Sequence, residues 1–332
     1  MRTKTYLVGA IAALSLTLAG CSGNGSAGTE ADEVAGGDEP TADDVETVSI
    51  TMGILPIVPS AALQLGIDEG IFEQHGFDVS LETGQGGAAL LPAVVSGQME
   101  FAISNPLSIM LARGEGLDVR MITGYSHSLT EGDDVTSIWA LPDSGISEPA
   151  DLEGKTVAVN TLRTMGEVSI NEIVRQAGGD PGNIQFVEMG FPDMPAALEN
   201  GNIDVAWVPE PFQTILKNSG AELISYNYRE TMAGVSTMSV ITAGDLIESD
   251  PELVERFAAA VDEVTAYAQA NPDRVRETLT TFLEMDEELA AQVVMEDFRA
   301  EMDRDAMQRL ADLALEYEVL TEPVDMDGFM PS

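Results

Sequence analysis

The sequence VSGQMEFA at residues 95–102 recurs in pattern as ENGNIDVA at residues 199–206, an offset of 104 positions. In each copy a glycine is placed to end a helix, an acidic residue follows in the turn, and a small residue lies in the strand beyond it. Any turn from helix to strand can look like this, so the local match alone is weak. The elements around both copies repeat in the same order, which favours two lobes built on one plan.

Hydrophobic periodicity predicts strand, helix, strand, helix and strand in each half of the chain. In the first half these elements are predicted at residues 48–52, 60–73, 77–82, 88–96 and 99–103. In the second half they are predicted at residues 156–159, 165–176, 184–188, 195–199 and 203–207. This βαβαβ order is typical of an α/β fold with a mainly parallel sheet covered by helices.

Two further strands, at residues 137–141 and 236–242, are placed to connect the lobes, and we predict that they are the hinge crossings. The predicted domains are 48–136 as the first part of lobe 1, 137–236 as lobe 2, and 237–332 as the return to lobe 1 with C-terminal helices. Helix-start signals stand at Asp250, Asn271, Asp286 and Asp303. We expect the helices that follow to pack back on the first lobe.

The N-terminus has the features of an export signal. Arg2 and Lys4 precede an uncharged apolar run at residues 6–18, and Leu-Ala-Gly then leads to Cys21, the only cysteine. The run is shorter than the roughly 20 residues that cross a bilayer, which predicts a cleaved signal peptide at residues 1–20. The junction resembles the bacterial lipobox, so we expect a lipidated, palmitate-type Cys21 at the extracytoplasmic face of the cell membrane. A spare thiol in a disordered tail is the alternative.

Composition limits the partners. Residues 21–47 are rich in glycine and acidic residues and lack lysine and arginine, which predicts a disordered acidic tether. The whole chain has 57 acidic against 15 basic residues and a formal net charge of −42. Nucleic acid and anionic membrane surfaces are therefore disfavoured as partners, since both need clustered cations. The acidity could reflect a saline habitat or only a well-solvated surface.

Several short motifs, in order, carry a resemblance that covers the body of the chain. They are EGIF at 69–72, SGQME at 96–100, DLEGK at 151–155, GNID at 201–204 and EPF at 210–212. In this order and spacing the chain resembles the solute-binding proteins of nitrate, sulfonate, taurine and thiamine-precursor importers, the NMT1/THI5-like family.

The resemblance implies a type II periplasmic-binding-protein fold, in which two lobes joined by two crossings trap a solute between them. It also implies an ABC permease and a cytoplasmic ATPase as partners of a monomeric receptor. It does not imply one ligand, because function depends on the site rather than the fold. We expect a small organic anion of the sulfonate, nitrate or carboxylate class, with a neutral nitrogen heterocycle such as a thiamine pyrimidine precursor as the alternative.

Candidate ligand-binding residues follow strands or begin helices, where α/β sheets bind their ligands. They are Pro59, Ser60, Gln85, Gly86, Gly87, Ser104, Asn105, Asn160, Thr161, Arg163, Thr164, Phe191, Met194 and Glu210. The Gly84–Ala88 turn lacks the lysine and the spacing of a nucleotide-binding P-loop, so ATP binding is not expected. Trp139 and Trp207 could complete the wall or lie in the core.

Two of these candidates indicate opposite ligand charges. Arg163 lies at a predicted helix start and could hold a carboxylate or sulfonate, although it could equally be a solvated surface residue. Glu210 follows a strand between two prolines and would instead bind a donor such as an amine or a pyrimidine N–H. It could also make internal hydrogen bonds at the hinge.

Other site classes are disfavoured. His75 and His127 are the only histidines and provide too few clustered ligands for a metal; we expect a structural His127, no metal and no cofactor. No nucleophile with a base at recognisable spacing is present. We therefore expect a binding protein, with an enzyme on the same fold as the rival class.

Overall fold

The computed structural model describes residues 47–331. The predicted signal peptide, the predicted lipidation site Cys21 and almost the whole of the predicted tether lie outside the described residues. Across residues 47–331, no helix combines the length and the hydrophobicity needed to cross a membrane.

The strands are, in chain order, β1 Val48–Ile54, β2 Phe77–Thr83, β3 Phe101–Ser104, β4 Val119–His127, β5 Thr136–Ala140, β6 Thr156–Val159, β7 Gln185–Glu188, β8 Val205–Pro209, β9 Glu222–Ser225, β10 Ser236–Ala243 and β11 Asp297–Phe298. The helices are α1 Pro59–Asp68, α2 Ile71–Gln74, α3 Gly87–Val95, α4 Pro106–Gly114, α5 Met165–Gln176, α6 Met194–Glu199, α7 Phe212–Ser219, α8 Asn227–Met232, α9 Gly244–Ser249, α10 Pro251–Ala270, α11 Pro272–Phe282, α12 Glu287–Ala290, α13 Arg304–Glu316 and α14 Met326–Phe329. Short 3₁₀ helices lie at Pro142–Ser144, Pro149–Leu152, Pro181–Asn183 and Phe191–Asp193.

The strands form two sheets, one in each lobe. The first has the order β2-β1-β3-β10-β4-β11 and the second has the order β7-β6-β8-β5-β9. Each begins with a parallel trio and continues with an antiparallel fourth strand, which confirms the predicted repeat of one lobe plan. The prediction of mainly parallel sheets was wrong, because every pairing beyond the trio is antiparallel.

The fourth strand of each sheet lies next to the hinge. We predicted residues 137–141 and 236–242 as crossings, but they fall in β5 and β10, whose backbone groups pair with strands on both sides. That prediction was wrong, since a buried extended segment satisfies its N–H and C=O groups most readily inside a sheet. The chain passes between the sheets at residues 128–135 and again after α8, where the Ser128 N–H donates to the Val235 carbonyl at 2.9 Å.

Local geometry shifts three predicted elements. The helix predicted at residues 60–73 is divided into α1 and α2, because Gly70 between them has φ 69°, a left-handed conformation that ends a helix. Strand β3 begins two residues later than predicted. A strand predicted from the sequence at residues 120–123 is longer in the structure, where β4 continues through Tyr125 and His127. The second-half helix predicted at residues 165–176 coincides with α5.

The core of the first lobe is built on Phe257 of α10. Its ring stacks on Phe101 of β3 at a centroid distance of 3.8 Å and also contacts Phe72 and Phe77. The helix begins as predicted, since the Asp250 side chain accepts a hydrogen bond from the Leu253 N–H at 3.1 Å. Helices α10 and α11 pack against α1, so this part of the C-terminal region lies on the first lobe as expected.

Helix α13 departs from that expectation. It contacts α4 of the first lobe, but it also packs on α5 and α8 beside the second sheet. Its Arg309 donates to Glu172 of α5 at 2.9 Å, and Tyr317, just after the helix, donates to the same carboxylate at 2.8 Å. The prediction that all the C-terminal helices pack on the first lobe was therefore wrong. The buried carboxylate of Glu172 on α5 binds Arg309 and so holds α13 against the second lobe.

Candidate functional site

A cleft lies between the two sheets, at the ends of strands from both. In this structure, with the lobes in contact, its cavity has a volume of about 30 Å³. The first lobe contributes Leu55, Ile57, Pro59, Gly87, Asn105, Thr237, Met238 and Glu296. The second contributes Thr136, Asn160, Thr164, Met165, Phe191, Trp207, Pro209 and Tyr228.

Aromatic rings form the wall that belongs to the second lobe. The Trp207 ring lies 5.7 Å from that of Phe191 and 5.8 Å from that of Tyr228, centroid to centroid. Gly166 in the first turn of α5 sets the position of the indole, since a Cβ there would stand 2.8 Å from the Trp207 ring. Three rings grouped in this way suit a flat or apolar part of a small ligand.

The two lobes meet at one side of the cleft, where a glycine of each lobe faces side chains of the other. A Cβ on Gly86 of the first lobe would lie 3.0 Å from Asn160 Nδ2 and 3.1 Å from Thr161 Oγ1 of the second. A Cβ on Gly190 of the second lobe would lie 3.1 Å from Gln85 Oε1 of the first. The structure therefore shows the lobes in contact, with glycine on both sides allowing the close approach.

Three buried polar atoms in this region have no protein partner within residues 47–331. Trp207 Nε1 belongs to the wall of the cleft, whereas Ser104 Oγ, behind Gly87, and Ser108 Oγ, in the first turn of α4, belong to residues that do not line it. The Asn105 side chain caps α4 by accepting from the Ser108 N–H at 2.9 Å. Unpaired buried donors and acceptors are costly, and at a cleft they are available to a ligand.

Glu296 is the acidic residue of the cleft. It is 5% exposed, and one of its oxygens lies 3.4 Å from Thr237 Oγ1. Burial, reinforced by the negative charges of Asp134 and Glu210, raises the pKa of Glu296 well above its usual range. The lining residues include no lysine, arginine or histidine. The cleft thus presents aromatic rings, neutral polar groups and one carboxyl.

A sequence profile described as NMT1/THI5 like matches residues 60–275 of the chain. This protein belongs to the NMT1/THI5-like family. The taurine-binding periplasmic protein of Escherichia coli strain K12 is 27% identical over 213 residues, 62% of this chain and 62% of that protein. The match thus spans less than two thirds of that relative. The formylaminopyrimidine-binding protein of Halalkalibacterium halodurans is 22% identical over 241 residues, 71% of each chain.

Solved structures show the fold of this NMT1/THI5-like protein. The alkanesulfonate-binding protein SsuA of Xanthomonas axonopodis pv. citri, bound to MOPS, superposes with a TM-score of 0.70 at 16% identity, covering 84% of this chain and 96% of that one. The nitrate-binding protein NrtA of Synechocystis PCC 6803 gives 0.69 at 14% identity, covering 85% and 84%. The predicted type II periplasmic-binding-protein fold is confirmed.

Six of the predicted ligand-binding residues line the cleft: Pro59, Gly87, Asn105, Asn160, Thr164 and Phe191. Gln85, Gly86 and Thr161 lie at the contact between the lobes. Three others are buried beside the cleft without lining it: Ser60, Ser104 and Met194. The Ser60 hydroxyl donates to the Leu55 carbonyl at 2.7 Å, which shapes the loop before α1. Contact of any of these residues with a ligand stays a prediction.

Arg163 does not face the cleft. Its guanidinium donates to the Glu318 carbonyl at 2.9 Å, and its backbone has φ 56° with the N–H bound to Glu167 Oε2 at 2.7 Å. The side chain borders a separate surface groove with Val319 and Leu320. The structure thus corrects the anion-gripping role predicted for Arg163, because the left-handed backbone directs the side chain to the C-terminal segment.

Glu210 takes the internal role that was its alternative. The side chain is fully buried, and its Oε1 accepts hydrogen bonds at 2.8 Å from Gln213 Nε2, Thr214 Oγ1 and the Val294 N–H. Its own N–H donates to Val135 in the first crossing. With its acceptors used in this way, Glu210 ties α7 to the hinge and to the C-terminal segment, and it is absent from the cleft lining.

Trp139 and the histidines lie away from the cleft lining. Trp139 Nε1 donates to Ser137 Oγ at 2.7 Å inside the second lobe. His127 is buried in β4, and burial together with nearby Arg299 lowers its pKa to about 4. His75 pairs with Glu263 at 2.8 Å on the surface. Between residues 47 and 331, no three His, Cys, Asp or Glu side chains group closely enough to hold a metal ion.

Sequence reasoning missed Thr136, Tyr228, Thr237, Met238 and Glu296 as cleft residues. Thr136, Thr237 and Met238 lie within β5 and β10 rather than in the loops that follow strands, and Tyr228 lies in α8, a helix that was not predicted. Glu296 is one of 57 acidic residues. The sequence holds no signal that marks it as the buried one.

Proposed function

We propose that this protein is an extracytoplasmic solute-binding protein of an ABC importer. It captures a small molecule between its lobes and delivers it to a permease driven by a cytoplasmic ATPase. The cleft carries the proposal, because it lies between two lobes in contact and is lined by rings and unpaired polar atoms rather than by a catalytic group. The relatives named for taurine, formylaminopyrimidine, sulfonate and nitrate binding support it.

A specific observation favours the nitrogen heterocycle over the organic anion that we first expected. The cleft lining has a carboxyl and no cationic side chain, and Arg163 is turned away. A sulfonate or nitrate would have to be held without a cation, by neutral side-chain donors such as Asn160 and Thr164 and by backbone N–H groups at the starts of α3 and α5. A neutral or cationic nitrogen compound fits the carboxyl and the three rings without that restriction.

We further propose that the receptor is a monomer, held at the cell membrane by a lipid on Cys21. The basic residues, the short apolar run and the Leu-Ala-Gly-Cys junction support the anchor. The acidic segment up to residue 47 would then act as a tether of roughly 25 to 30 Å. That reach keeps the lobes beside a membrane-embedded permease.

Native mass spectrometry of the protein purified from its own host tests the proposed function. We expect one small molecule per chain, released on denaturation, that rebinds to the emptied protein in isothermal titration calorimetry. The solute should also keep its mass after long incubation with the protein. Conversion of the solute to a product would support the enzyme alternative, and absence of any bound or rebinding solute would contradict the receptor role.

A further inference from the structure

Glu296 differs from the other buried carboxylates of the molecule in its hydrogen bonds. Asp134 accepts from Ser128 Oγ at 2.7 Å and from the N–H groups of Leu129, Val135 and Arg229 at 2.8 to 3.1 Å. Glu210 is bound to three partners at 2.8 Å. Among the described residues, the Glu296 carboxyl has a single hydrogen-bond partner, Thr237 Oγ1, at 3.4 Å. A buried carboxyl with so few hydrogen bonds destabilises the fold unless another molecule supplies a donor.

The surroundings of Glu296 show where that molecule would be. Glu296 and Thr237 both line the cleft, and Glu296 also borders a surface groove lined by Thr130, Gln269 and Phe298. The pKa of the Tyr228 phenol on the second lobe is raised by burial, then by Asp134 and then by Glu296. Glu296 therefore lies close enough to Tyr228 to influence it. The unfilled acceptor therefore lies near the aromatic wall.

The aromatic wall offers the complementary group. Trp207 Nε1 is a buried donor without a protein partner among the described residues, and its ring lies between those of Phe191 and Tyr228. Glu296 on the first lobe can thus accept a hydrogen bond and Trp207 Nε1 on the second can donate one, with the rings of Phe191 and Tyr228 beside the indole. A flat ligand with its own N–H donor and ring acceptor can satisfy both while it contacts the rings.

We propose that Glu296 is the specificity-determining residue of the cleft, and that it accepts a hydrogen bond from an amino group or protonated ring nitrogen of an aromatic nitrogen heterocycle. This inference rests on the proposed function. A ligand that is only an anion, such as nitrate or methanesulfonate, offers Glu296 no N–H.

The test compares ligands and variants in thermal-shift and calorimetric titrations of the purified protein. The probes are cytosine, adenine and 4-amino-5-aminomethyl-2-methylpyrimidine, set against nitrate and methanesulfonate. The variants are Glu296→Ala and Glu296→Gln, with Glu287→Gln on the exposed face of nearby α12 as the matched control. Melting temperatures are measured first without ligand.

We expect at least one amino heterocycle to bind the unaltered protein and the Glu287→Gln control equally. Glu296→Ala should weaken that binding by about 10- to 100-fold, the usual cost of losing a hydrogen bond to a charged group. Glu296→Gln, which keeps an acceptor, should weaken it less. Neither Glu296 variant should melt earlier without ligand, because the carboxyl has too few partners to stabilise the fold.

The inference is overturned if nitrate or methanesulfonate binds the unaltered protein and the amino compounds do not. It is also overturned if an amino heterocycle binds Glu296→Ala with unchanged affinity. In both cases the receptor role stands. If neither the probes nor any retained solute binds the unaltered protein, the proposed function fails and this inference fails with it.

Discussion

Glu172 on α5 shows how this acidic chain stabilises a buried charge. Its side chain is 1% exposed, and its carboxylate accepts hydrogen bonds from Arg175, Gln176, Arg309 and Tyr317. Burial alone would raise the pKa of Glu172, but these hydrogen bonds outweigh it and lower the pKa to about 2. The ionised form is therefore the one that holds α13 against α5.

We predict that Glu172→Gln makes the unfolding free energy less dependent on acid. The folded pKa lies below the ordinary value of 4.5, so the stabilisation is complete above about pH 4.5 and is lost as the pH falls toward 2. The gap between the unaltered protein and the variant should be about 2–3 kcal/mol at pH 7 and should shrink steadily below pH 4.5. Urea denaturation at pH 7, 5, 4 and 3 measures it.

Glu316→Gln is the control for that series, because Glu316 is half exposed and lies 3.7 Å from the same Arg175. It should change the unfolding free energy by less than about 0.5 kcal/mol at each pH. A Glu172→Gln gap that is as large at pH 3 as at pH 7 would contradict the role assigned to the ionised carboxylate.

Among the elements, the loop from β2 to α3 controls how closely the lobes meet. Gly86 has an extended backbone, φ −178°, which any residue adopts. Glycine is therefore not required there for its conformation. It is required for space, since Asn160 and Thr161 of the other lobe leave about 3 Å for a Cβ.

We predict that Gly86→Val weakens solute binding by about 5- to 10-fold, because the side chain disfavours the closed contact that binding needs. The unfolding free energy without ligand should change by less than about 1 kcal/mol, since the two lobes can separate slightly at this point. Calorimetric titration and urea denaturation measure the two effects.

The matched control is Gly114→Ala at the end of α4, where a Cβ meets no atom within 4 Å. It should leave binding unchanged. Equal binding by Gly86→Val and the unaltered protein would show that the contact at Gly86 plays no part in capture.

Elements with a strong local signal were predictable and those defined by distant pairing were not. Periodicity placed α5 at residues 165–176, and the Asp250-Pro251 signal placed the start of α10. In contrast, β5 and β10 have the composition of strands, but nothing local states which strands they pair with: β5 pairs with β8 and β9, and β10 returns to β3 and β4 of the first sheet. Their assignment as crossings failed for that reason.

The same distinction holds for the candidate site. Six of the cleft residues could be predicted because they lie in a loop between a strand and a helix or at the start of that helix. The free N–H groups at a helix start depend only on the local sequence. Arg163 was misplaced because its left-handed backbone, φ 56°, reverses the direction of the side chain. Glu296 was missed because its burial depends on β10, α8 and the hinge together, none of which is near it in sequence.

On the scale of the whole molecule, the hinge joins the two lobes through one hydrogen-bonded network. The Asp134 carboxylate accepts hydrogen bonds from the Leu129 N–H in the first crossing and from the Arg229 N–H, which precedes the second crossing. Gln213 Nε2 donates to the Asp134 backbone carbonyl at 2.9 Å. Glu210 extends this network to Val294 near the cleft carboxyl. The two sheets remain separate, and the lobes also meet at Gly86, at Gly190 and through α13.

Capture between the lobes is tested most directly by filling the cleft from one side. Asn160→Trp places an indole in the cleft, and Asn202→Trp places the same side chain on an exposed turn of the second lobe. Both variants and the unaltered protein are titrated calorimetrically with the solute that the protein retains. Circular dichroism and cooperative melting confirm that each is folded.

We predict one solute per chain for the unaltered protein and for Asn202→Trp, and no measurable binding for folded Asn160→Trp. Binding of the solute to Asn160→Trp with the affinity and stoichiometry of the unaltered protein would place the site elsewhere and contradict capture between the lobes.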